Sequence, residues 1–123
     1  MYTLDTNSII YYLKGEVPVA KIIDELFRTQ TTFYASTITE LELLSFKNLT
    51  DSEIHKINDF LAIVSVIPLD SRIARIAAYL RQQHTIELAD SVIAATAIFT
   101  GSHLLTRNVD DFEKISHLLL RKI

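Results

Sequence analysis

The sequence predicts an α/β fold, a three-layer α/β/α sandwich around a mostly parallel sheet of roughly five strands. Three observations carry this. Short apolar runs of strand length alternate with one or two helical periods, the pattern that parallel crossovers need. Hydrophobic residues make up 49% of the 123 and charged ones 22%, enough to bury a core. Only two Gly and two Pro are present, so no long linker divides the chain, and one domain over residues 1–123 is expected.

The elements follow in order. "MYTL" reads as a strand and "TNSIIYYLK" as a helix stopped near Gly15 and Pro18. "VAKIIDELFRTQ" places Val19, Ile22, Ile23, Leu26 and Phe27 at helical spacing. "TTFYAS" is a second strand. "TITELELLSF" is a helix, opened by Thr37 and Glu40 at capping-box spacing. "TDSEIHKINDFLAI" repeats that device with Thr50 and Glu53. "VSVIPL" is a third strand ended by Pro68, and Asp70 or Ser71 can cap "RIARIAAYLRQQ". "LADSVIAATAIF" is apolar almost all round and ends at Gly101, so it is expected to be central and buried. "HLLT" and "HLLLRKI" are the fourth and fifth strands.

Composition excludes several classes. There is no Cys, so no disulfide and no thiolate metal site. No apolar stretch is long enough to span a bilayer, and the N-terminus lacks a signal-type pattern, so a cytoplasmic location is expected. The net charge of −3 does not advertise a nucleic-acid partner. Acids gathered in one pocket are nevertheless compatible with Lys and Arg around its rim.

In an open parallel sheet, sites form beyond the carboxyl ends of the strands. Asp5 leaves the first strand directly; it is either a helix cap or one wall of a site. Glu40 has a local task in the expected capping box, whereas Glu42 lies between Ile38 and Phe46 on an otherwise apolar ridge. There it either reaches water at the edge of the stripe or is paired. Asp90 opens the most apolar helix, where it either complements the helix dipole or belongs to a site. The fourth strand runs out through Thr106, Arg107 and Asn108 to Asp110, Asp111 and Glu113, which is either a polar loop with Asp110 or Asp111 as a cap, or more of the same site. Taken together, clustered carboxylates at about 4 Å repel by about 4 kcal/mol per pair at an effective dielectric near 20. They stay ionised only around a cation. Oxygen ligands alone indicate Mg²⁺ or Mn²⁺, and the four His have no close pair at zinc-ligand spacing.

Four segments then carry a family resemblance: "LDTN" at 4–7, "STITELEL" at 36–43, "LADSVIAATA" at 88–97 and "LLTRNVDDF" at 104–112. In order and spacing the chain resembles a PIN-domain ribonuclease, above all the VapC-type toxin of toxin–antitoxin pairs. The resemblance implies metal-dependent hydrolysis of RNA at Asp5, Glu42 and Asp90, with Thr39 to Leu43 matching a T-x-x-E-L pattern that selects Glu42 over Glu40. Relatives often carry an acid where this chain has Asn108, so Asn108 and Asp111 are both candidates for the fourth position and Asp110 is a further one. Asn7 and Thr106 would hydrogen-bond the ligands or a water. Lys14, Arg107 and Arg81 are candidate contacts to flanking phosphates. The resemblance also implies a homodimer and a protein antitoxin, with "IIYYL" and "KIIDELF" as apolar surfaces that serve either as interface or as core. Two rivals differ in class. An aspartate-nucleophile phosphatase would want an acid where Asn7 stands. A non-catalytic scaffold or binding protein would keep the acid pocket without turnover.

Overall fold

The computed structural model describes residues 1–123. The elements are β1 (Tyr2–Leu4), α1 (Thr6–Leu13), α2 (Val19–Arg28), β2 (Phe33–Ser36), α3 (Thr37–Leu44), α4 (Asp51–Ile63), β3 (Ser65–Ile67), α5 (Ser71–Gln83), α6 (Leu88–Thr100), β4 (His103–Thr106), α7 (Val109–Phe112) and β5 (Leu119–Lys122). The five strands form one sheet in the order β3-β2-β1-β4-β5, and every pairing is parallel. The chain winds outward from β1 to β3, then crosses back to lay β4 on the other side of β1. The carboxyl ends of β1 and β4 therefore meet at the point where strand order reverses, the usual seat of a site in such sheets.

Two cores flank the sheet, as strand alternation requires. Leu104 joins Ile73, Ala77 and Leu80 of α5 and Val92, Ile93, Ala94, Ala95 and Ala97 of α6 on one side. Leu105, the next residue, joins Ile9, Val19, Ile23, Ile57 and Phe60 on the other. Helix α6 is buried continuously from Ser91 to Ala97. Its hydroxyls bond within the helix, Ser91 to the Leu88 carbonyl (2.6 Å) and Thr96 to that of Val92 (2.8 Å), so no polar group is stranded there. Gly101 ends it with φ 66°, a left-handed conformation that side chains resist. No helix is long and apolar enough to cross a membrane.

Several local expectations are corrected. The capping box of Thr37 and Glu40 does not form. Strand β2 runs into α3 without a loop, so Ser36 is the cap and accepts from the Ile38 amide at 3.1 Å. The Thr37 hydroxyl instead accepts the Leu69 amide at 3.0 Å. The box at Thr50 and Glu53 is present, and Asp70 caps α5. Helix α3 stops at Leu44, so Phe46 lies beyond it and is 51% exposed rather than continuing a ridge through Glu42. Neither Asp110 nor Asp111 caps α7; Asn108 holds that position. Of the two readings open for the apolar runs of α1 and α2, core holds for part of each: Ile9, Val19 and Ile23 are buried and Tyr12 and Phe27 pack among Phe33 and Phe60 with ring centroids 4.6–6.3 Å apart, whereas Ile10, Ile22 and Leu26 are half-buried.

Candidate active site

Asp5 is where the site begins. It is 6% exposed and both its oxygens are committed. Oδ1 accepts from the Ser8 amide at 2.8 Å and so caps α1. Oδ2 accepts from the Thr106 hydroxyl at 2.5 Å, across from β1 to the end of β4. Cap and site wall are thus the same carboxylate. The parallel register makes this possible, because Leu4 pairs with Leu105 and the next residues leave side by side.

Thr106 extends the chain of contacts. Its oxygen accepts from the Asn108 amide at 2.9 Å, and the Asn108 side chain donates to Asp111 Oδ2 at 2.6 Å. Glu42 is half-buried, and its Oε1 accepts from the Thr6 hydroxyl at 2.6 Å. The buried Thr39 hydroxyl lies 3.1 Å from that of Thr6. Asp5 and Glu42 are therefore oriented by neutral donors, and no Lys or Arg offsets their charge.

A cleft of about 640 Å³ opens between these elements. Asp5, Glu42, Asp90, Asp111, Asn7 and Asn108 all line it. So does Glu87, just ahead of α6, which the sequence pattern left unmarked. No Lys, Arg or His is among the lining residues. Asp90 feels the consequence: burial first, then the charges of Glu87, Asp111, Asp5 and Glu42, push its carboxyl up to about 6. No three Asp, Glu or His side chains stand at metal-holding separation.

The remaining candidates lie elsewhere. Asp110 is exposed and does not line the cleft. Arg107 is taken up by Glu16 at 2.6 Å and by the Tyr11 ring, 4.2 Å from its guanidinium, so it braces the loop after β4 against α1. Arg81 is exposed in the last turn of α5, away from the cleft. Lys14 lines a neighbouring cleft.

An all-parallel five-stranded sandwich with acids gathered at its switch point defines a class of α/β proteins built to hold charge at strand ends. The chain belongs to the PIN-domain family, whose model matches residues 2–118. It is 32% identical over 117 residues to Ribonuclease VapC19 of Mycobacterium tuberculosis, covering 91% of this chain and 92% of that one. Among solved structures it is similar to VapBC-1 from nontypeable Haemophilus influenzae, at 29% identity and TM-score 0.80 over 98% of this chain and 96% of that one. DNA-bound VapBC from Salmonella typhimurium shares the fold at TM-score 0.86 and 22% identity, over 98% and 96% of the two chains.

Proposed function

We propose that this chain is an endoribonuclease that hydrolyses RNA phosphodiesters with Mg²⁺ or Mn²⁺, and that it is the toxin of a toxin–antitoxin pair. The observation that carries the reading is the cleft itself: five carboxylates and no cation, at the switch point of a PIN fold. The relative named as a ribonuclease supports the reaction, and the solved toxin–antitoxin complexes support a protein antitoxin.

PIN-domain ribonucleases depend on a metal ion, and the donor set here fits a hard one. Every ligand on offer is oxygen, no thiol exists in the chain, and the charges are uncompensated. Asp5, Glu42 and Asp90 would hold the ion, with Asp111 as the fourth acid. When bound, it supplies charge neutralisation for the phosphoryl oxygens and acidifies a water. The protein's own contribution is orientation. Thr106 fixes Asp5, Thr6 fixes Glu42 and Asn108 holds Asp111, so three of the four acids are oriented by hydrogen bonds, and an ion would draw their oxygens closer together than they stand without it. Asn108 or Asp111 would help orient the water that attacks the phosphorus, and Asn7, which also lines the cleft, would hydrogen-bond water or phosphate. A second copy of the chain is a further proposed partner.

Incubating the purified chain, free of antitoxin, with mixed RNA tests this. Cleavage with Mg²⁺ or Mn²⁺ that stops on chelation is expected. No cleavage at any metal concentration indicates a scaffold, and phosphate release from a small phosphate ester indicates a phosphatase.

A further inference from the structure

A second cleft, of about 550 Å³, lies against the acidic one and shares two of its wall residues, Ile10 and Phe46. Its floor is apolar, with Leu43 and Ile57 buried. Its charged residues are Lys14, Lys47, Lys56 and a single acid, Glu53. These come from three places: the end of α1, the turn between α3 and α4, and the body of α4. Glu53 is occupied, because its carboxylate accepts the Thr50 amide in the capping box. Lys14 and Lys56 both lie close enough to favour its ionised form, behind the hydrogen bonds from Thr50. Two lysines far apart in sequence thus converge on one spot. All three lysines are exposed and none makes an ion pair.

We propose that this lysine-lined cleft seats the flanking nucleotides of a single-stranded RNA whose scissile phosphate lies in the acidic cleft, with Lys14, Lys47 and Lys56 on backbone phosphates and Phe46 stacking a base where the two clefts join. The inference rests on the ribonuclease reading above. Charge complementarity selects the occupant. A strand entering a pocket of five carboxylates is repelled there, and the adjacent excess of positive charge is what holds it in place. Phe46 stands exposed on the shared wall, where a base face can lie against it. An apolar floor also suits a peptide, which the test separates.

Binding is measured by fluorescence anisotropy with a labelled single-stranded RNA of about 12 nucleotides, in an Asp90→Asn background that removes turnover. Replacing Lys14, Lys47 and Lys56 together by Gln is expected to weaken binding at low salt by at least about tenfold and to flatten the salt slope by about 2, near 0.7 per phosphate contact. Phe46→Ala is expected to weaken binding without changing the slope. A control with Gln at the exposed Lys21 and Lys122 should bind like the parent. In the otherwise natural sequence, the triple variant should raise KM on the long RNA far more than on a dinucleotide. An unchanged affinity and slope in the triple variant overturns the proposal. So does a result in which the triple variant loses only a Glu- and Leu-rich peptide and keeps the RNA. If the natural sequence cleaves neither RNA, the ribonuclease reading fails, and the anisotropy result still decides whether the cleft holds RNA.

Discussion

The two clefts share a wall yet hold their charges in opposite ways. In the acidic cleft Asp5 is buried with both oxygens bonded, and Glu42 is tied to Thr6. In the neighbouring cleft the lysines are long, exposed and unpaired. The difference matches what each is asked to do. Chemistry at one phosphorus needs donors fixed to a fraction of an ångström, which strand ends and buried hydroxyls supply. A flexible strand needs charges that follow it, which ammonium groups on four-carbon stems supply. Precision costs stability, because like charges are crowded where water is scarce; compliance does not.

The comparison is tested hardest at Asp5. Asp5→Asn keeps an oxygen to cap α1 and should leave the fold intact while cleavage falls by about 10³-fold, a loss typical of removing one group that stabilises the transition state. Initial rates with Mn²⁺ on a fixed RNA measure it; a rate within tenfold of the original would place the chemistry elsewhere. Glu42→Gln should behave similarly.

Thr106→Val comes next. It removes the donor to Asp5 Oδ2 and also the acceptor for the Asn108 amide. Activity should fall by about 10- to 100-fold, as when an outer hydrogen bond to a metal ligand is lost. Stability should fall as well, by about 1–3 kcal/mol, because a buried oxygen loses its partner. Urea unfolding and cleavage rates together read both. Thr106→Ser, which retains the hydroxyl, should recover most of each.

How far these two regions could be read from the sequence follows the same division. Asp5 and Asp90 were legible because strand and helix boundaries are marked by local chemistry, and the parallel pattern says which strand ends coincide. The central place of α6 followed from apolar periodicity, but the strand order did not, because periodicity does not say which strand β4 pairs with. Glu42 was reached through a capping argument that does not hold, since Ser36 rather than Thr37 caps α3. The family pattern located it instead. Glu87 was missed because an acid just ahead of a helix looks like any cap, although its side chain caps nothing. Of the lysine cleft only Lys14 was marked in the sequence, as a candidate phosphate contact, and the cleft itself was not legible. Lys14, Lys47 and Lys56 lie on separate elements, and only the packing of α1 against α3 and α4 brings them together. Lys14 and Arg107 looked alike in the sequence, but Arg107 has a Glu16 partner 91 positions away that no local pattern reveals.

The smallest expected effect gives the comparison its thermodynamic form. Asp90 ionises less readily in the folded chain than in the unfolded one, which holds an ordinary Asp value of 3.8 against about 6. The unfolded state therefore loses its proton first as pH rises, so this group removes stability progressively from about pH 4 to about pH 6, and above that the loss is complete and constant. Asp90→Asn should consequently raise the melting temperature of metal-free protein at about pH 7 and change it little at about pH 4. Discounted for its partial exposure, the gain is on the order of 1 kcal/mol, about 4 °C for a chain of this size. Added Mn²⁺ should reverse the order, because an ion that binds only the folded acids stabilises the natural chain more than the variant. The lysine cleft offers the contrast. Its three lysines are exposed and unpaired, so replacing all of them by Gln should shift stability by no more than about 0.5 kcal/mol per site at either pH. If Asp90→Asn were equally flat with pH, its carboxyl would not be crowded by its neighbours, and the distinction between a strained acidic cleft and a relaxed basic one would be lost.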